Sequence, residues 1–175
     1  MSIPPEAALI RDRRKNRLPN PALSLRAAAA AASAFGTPVS EAGWRSIEGG
    51  KYVAKPEILA AMASAVGVTP AELDEIGARH QRQNAADAAV MLRAYLHQRA
   101  ETDPALSGIG TSAPDDVLQM IVAGIDDIRK APGLTKDQKE SLEKSLIDTV
   151  KQTVAGQLVQ IRTALEIARG KGSHS

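Results

Sequence analysis

Residues 40–50 read Ser-Glu-Ala-Gly-Trp-Arg-Ser-Ile-Glu-Gly-Gly. Ser40 is a good helix N-cap and the glycine pair 49–50 stops a helix, so the stretch encloses a short one running through Glu48. Within it Trp44 and Ile47 lie three apart and share a face, which anchors that side inward. Glu41, Ala42, Arg45 and Ser46 are then left pointing outward. An arginine can fork onto O6 and N7 of guanine, and the short side chains beside it would let the helix sit deep in a groove. Gly43 costs roughly 1 kcal/mol relative to alanine inside a helix, and is explained either by a late helix start or by close approach to a partner.

Working outward, each flanking segment is also helical. Pro5 to Arg17 forms a first helix, ended by Leu18-Pro19-Asn20-Pro21. Ser24 caps a second through the alanines 27–32, and Gly36-Thr37-Pro38 breaks it. Pro56 opens a fourth, with Ile58, Leu59, Met62 and Val66 at helical spacing before Gly67. Thr69-Pro70-Ala71-Glu72 is a capping box for a fifth, toward His80. The polar stretch Gln81–Asn84 is either a joint or continuous helix leading into a sixth over Ala85–Gln98.

Composition agrees with an all-α chain. Of 175 residues 43% are apolar but only 2% aromatic, and 31 are alanine, the strongest helix former. The formal charge of +2 hides an asymmetry: up to Lys55 there are nine Lys/Arg against four acids, and afterwards thirteen against sixteen. A basic first third suits a polyanionic partner. There is no cysteine, which excludes disulfides and thiolate chemistry. No run approaches the roughly 18 apolar residues of a membrane span, and charges fill the first residues where a signal peptide would need an apolar core, so the chain reads as soluble and cytoplasmic.

Beyond Gln98, residues 101–112 are poor in apolar side chains and read as a linker. Ser112 with Asp115 starts a helix striped by Val117, Leu118, Ile121, Val122, Ile125 and Ile128, ended by Ala131-Pro132-Gly133. Thr135 and Gln138 form another capping box, and a long helix follows to Gly170, with Leu142, Leu146, Val150, Val154, Leu158, Ile161 and Leu165 on one arc. Such a hairpin either folds back on the N-terminal part or pairs with another chain.

Residues 9–77 resemble the lambda-repressor-like (Cro/XRE) helix-turn-helix family. The resemblance rests on LIRDRR, SLRAAAAAA, VSEAGWRSIEGGKY and PEILAAMASAVGVTPAEL in that order, and above all on Ser-x-x-x-Trp-x-x-Ile-Glu-x-Gly at 40–50 and the Leu59–Pro70 pattern. It implies a five-helix DNA-binding domain whose recognition helix is 40–48, with Ser40 near a phosphate and Glu41, Ala42, Arg45 and Ser46 toward the bases. Lys51, Tyr52, Lys55 and Arg26 would touch the sugar-phosphate backbone. Glu48 would pair with an arginine of the first helix, Arg14 being best aligned and Arg11 second, and Trp44 and Ile47 would support the reading face. The chain departs from the family in a longer loop before Ser24 and a longer connection over residues 33–38.

The expected organisation is a DNA-binding domain over 1–80, a connecting helix over 81–100, a linker over 101–112, a helical hairpin over 113–170 for oligomerisation or partner contact, and a polar tail over 171–175. The expected function is sequence-specific binding of double-stranded DNA by a repressor, with phage immunity repressors and actinobacterial or actinophage sources as the associated types. A homodimer through 113–170 would read two half-sites, and a monomer would read an asymmetric one. The rival reading is an antitoxin-like or structural protein-interaction module. No enzyme, cofactor, metal or small-molecule ligand is expected. His80, His97 and His174 have no ligand spacing, the acid pairs 115–116 and 126–127 splay apart along their helices, and no phosphate loop or nucleophile motif is present.

Overall fold

A computed structural model describes residues 3–16, 22–106 and 113–171, with side chains as far as residue 153. Among the described residues it is wholly helical. The helices are α1 (Pro5–Lys15), α2 (Leu25–Ala32), α3 (Glu41–Glu48), α4 (Pro56–Val66), α5 (Pro70–His80), α6 (Gln83–Thr102), α7 (Asp115–Lys130) and α8 (Lys136–Lys171), with 3-10 turns at Ser33–Phe35 and Pro104–Leu106. None of them is long and apolar enough to cross a membrane.

Local chemistry accounts for most boundaries. Ser24 Oγ accepts from Ala27 N at 3.1 Å and Ser40 Oγ from Gly43 N at 3.0 Å, satisfying otherwise orphaned amides at the starts of α2 and α3. Thr69 and Glu72 form the reciprocal capping box of α5, and Thr135 with Gln138 repeats it before α8. Gly67, at φ +76°, ends α4 in the left-handed region that favours glycine. The double-proline stop at 18–21, Ser112 and the tail beyond residue 171 lie outside the described residues.

Of its two alternatives Gln81–Asn84 takes the joint: Gln81 takes φ +53°, and Arg82 N reaches back to Gly77 O at 3.0 Å, which turns the chain between α5 and α6. Other expectations need correction. The sixth helix starts two residues earlier and ends four residues later than Ala85–Gln98. The first half of the segment 101–112 is no spacer. Glu101 and Thr102 complete α6, Asp103 accepts from Ala105 N at 3.1 Å, and Leu106 is fully buried. One apolar side chain and one acid are enough to fix this turn, although the surrounding composition is that of a loop. Residues 107–112 lie outside the described residues. The residue capping α7 is Pro114, with no side-chain cap.

The core is one continuous cluster. α4 is packed against both α2 and α6, and the small alanines of α2 (28, 29, 32) and α4 (60, 61, 63) are buried, in one cluster with Met62, Val66, Leu73, Leu92 and Leu96. The α7–α8 hairpin takes the first of its two alternatives at α7, which folds back and buries Leu118, Ile121, Val122 and Ile125 in the same cluster. Arg93 ties α6 to Asp74 of α5 and Asp115 of α7, and Arg129 grips both Asp103 and Glu143 of α8 through paired hydrogen bonds. Among the described side chains of α8 the buried residue is Ile147. Leu142, expected on the apolar stripe, is exposed, while Leu146 and Val150 are half-buried. The side chains of Val154, Leu158, Ile161 and Leu165 lie outside the described residues.

Candidate nucleic-acid interface

The candidate site is assembled on α3, and what fixes α3 is a buried ion pair. Arg14, in the last turn of α1, donates through Nε to Glu48 Oε1 at 2.7 Å and through Nη2 to Oε2 at 2.8 Å. Trp44 Nε1 donates to the same Oε1 at 2.6 Å. Arg14 Nη1 donates to Leu23 O at 2.7 Å, so this one guanidinium joins α1, the residue before the Ser24 cap and the end of α3. Arg14, and not Arg11, is therefore the partner of Glu48. Burial alone would raise the Glu48 carboxyl, but the hydrogen bonds from Arg14 and Trp44 and the Arg14 charge hold it below the usual carboxylate range. The Glu48 hydrogen bond likewise raises the Arg14 pKa.

With Trp44, Ile47 and Glu48 buried, the opposite side of α3 is committed to solvent. Glu41, Ala42 and Arg45 are exposed and Ser46 is half-buried. Arg45 Nη2 donates to Glu41 Oε1 at 2.8 Å, one turn back, and 68% of the Arg45 side chain remains accessible. Ser40 is exposed at the N-terminus of the helix. Gly43 is not explained by a late start, since α3 begins at Glu41. A Cβ there would stand 3.1 Å from Ser40 Oγ, so the glycine leaves room for the cap.

The turn after α3 carries the remaining candidates. Gly50 takes φ +69°, and a Cβ on it would lie 3.2 Å from Ile3 Cα, so the chain's first described residues close over this glycine. Lys51, Tyr52 and Lys55 are all exposed, and Arg26 is exposed in the first turn of α2, which packs on α3. Among the nine outward candidates four are cations and only Glu41 is an acid, which favours an anionic partner.

Two features escaped the sequence reading. Val53 is 51% exposed beside Tyr52, giving the loop an apolar tip between its lysines. The loop is also pinned from outside the five-helix unit, because Asn84 Nδ2 of α6 donates to Ala54 O at 3.0 Å. No local pattern marks Asn84 for that role, since the contact depends on the turn at Gln81.

Residues 7–76, from α1 into α5, match the family model described as a helix-turn-helix domain. The chain matches no curated protein and no solved structure.

Proposed function

We propose, taking residues 7–76 as a helix-turn-helix domain of a DNA-binding regulator, that the chain is a transcriptional repressor that binds a specific site in double-stranded DNA through the major groove. The observation that carries this reading is the division of α3. Trp44, Ile47 and Glu48 are buried, with Glu48 held by Arg14 and Trp44, and Glu41, Ala42, Arg45 and Ser46 form the outward surface. Arg45 is the principal base reader, through guanine O6 and N7. Glu41 orients it in the free protein and can accept from a cytosine amino group. Arg26, Ser40, Lys51, Tyr52 and Lys55 hold the phosphates, which position the protein without reading sequence. The action is steric, with the bound protein blocking polymerase at a promoter and no catalysis involved.

The two copies of a homodimer, joined through residues 113–170, would place their α3 helices on half-sites about one helical turn apart. Selection from random-sequence duplexes followed by gel shift tests the proposal. A discrete motif should be enriched with the native chain and lost with Arg45→Ala. No shift even at about 50 mM salt, where phosphate contacts are strongest, would refute it in favour of a protein-binding role.

A further inference from the structure

The connection between α2 and α3 determines where α3 begins, and it is held from outside residues 7–76. Its 3-10 turn lays the Phe35 ring on the Tyr95 ring of α6, with centroids 4.5 Å apart and planes tilted by 40°. The chain has only four aromatic residues, and two of them meet here. Tyr95 is in turn fixed from behind. Its hydroxyl accepts from Arg99 Nη1 at 3.0 Å, and the guanidinium carbon stands 5.9 Å from the ring centroid. Arg99 Nη2 donates to Asp126 Oδ1 of α7 at 3.0 Å and lies 3.5 Å from Asp103 Oδ2, the carboxylate gripped by Arg129. The Tyr95 ring is thus a platform on α6, braced by Arg99, which is itself tied to α7, and the extra length of the α2–α3 connection is what reaches it.

Building on the DNA-reading role of α3, we infer that Tyr95 and Arg99 are positioning residues for the recognition helix. Neither belongs to the reading surface. Together they hold Phe35, and through it the approach to Ser40, so that α3 meets the groove at one pitch. A short tight turn would set that pitch by its own backbone geometry. A long connection needs an external stop, and the stack supplies it.

The test uses the full chain and four substitutions, reading the ratio of affinity for the selected site to affinity for random duplex. Phe35→Ala and Tyr95→Ala should each lower that ratio about two- to tenfold, the worth of an aromatic pair. Tyr95→Phe, which keeps the ring, should restore most of it. Leu118→Ala, a core cut in α7 outside the Phe35–Tyr95–Arg99–Asp126 chain of contacts, should lower the melting temperature and leave the ratio within about twofold. An unchanged ratio in both alanine variants, or an equal fall in Leu118→Ala, overturns the inference. A second readout needs no DNA: in the free protein Tyr95→Ala, but not Leu118→Ala, should speed amide exchange over residues 36–44. If the native chain prefers no sequence, the DNA-reading role fails, and exchange alone decides whether Tyr95 positions the connection. Equal exchange in the two variants would then overturn it.

Discussion

Replacing Arg14 with methionine or Glu48 with glutamine tests the stabilisation of α3 directly. The two side chains are only 10% and 7% exposed, and the carboxylate receives three hydrogen bonds, so either single change leaves a buried charge without its partner. Breaking such a pair costs about 3–5 kcal/mol, a large share of the roughly 5–15 kcal/mol that stabilises a domain. Arg14→Met also releases the Leu23 carbonyl, so it should be the more damaging of the two. The double variant should lose less than the sum of the singles, because neither charge is then stranded. Urea unfolding followed by the emission of Trp44, the only tryptophan, reports from the pair itself. The pH dependence has a definite sign. A carboxyl held below its ordinary 4.5 stabilises the fold above that value, and the stabilisation is lost as pH falls through the folded value. The native chain should therefore lose stability below about pH 4.5 more steeply than Glu48→Gln. Single variants costing under about 1 kcal/mol, as exposed ion pairs do, would refute the reasoning.

Other outcomes follow from the same structure. Lys51→Ala should weaken all duplexes alike and lower the slope of log affinity against log salt by about one unit, while keeping the selected motif, and a changed motif would make Lys51 a base reader. Gly77→Val should destabilise the fold, because a Cβ there would already meet Ala86 N and Cβ at 3.1 Å, with backbone that cannot yield. Calorimetry showing an unchanged melting temperature would mean that α5 and α6 separate freely. Ending the chain after residue 153 keeps the buried Ile147 of α8 and should convert a dimer into a folded monomer by light scattering, and a full-length chain that is already monomeric would remove the dimer from the proposal.

Legibility in the sequence tracked the range of the interaction. The caps at Ser24, Ser40, Thr69 and Thr135 were legible because donor and acceptor are three residues apart, and the inward face of α3 because Trp44 and Ile47 fall one turn apart. The turn at Gln81 was not, since a glutamine in the left-handed region carries no glycine to mark it. Asp103 and Leu106 were hidden by averaging over a loop-like window, because Arg129, which grips Asp103, and α8, which packs on the Pro104–Leu106 turn, are distant in sequence. Ile147 buries itself in place of Leu142 because the start of α8 faces Pro104–Leu106 and α7 together, so its apolar arc is set by two neighbours at once. At the site, the outward residues of α3 could be deduced by elimination, but Asn84 and Tyr95 could not.

The sharing of α6 has a consequence for modularity. α6 lies along both α4 and α5, and its Ala85, Ala88, Ala89, Leu92 and Leu96 are fully buried there, so the matched span ends one helix short of a self-sufficient unit. A chimera spliced at residue 77 would expose that seam on both fragments, while one spliced near 106 would still strip α7 from α6. In terms of heredity by recombination, the helix-turn-helix span of this protein is not a detachable cassette. Under the proposed function, exchanging specificity means changing the surface of α3 in place.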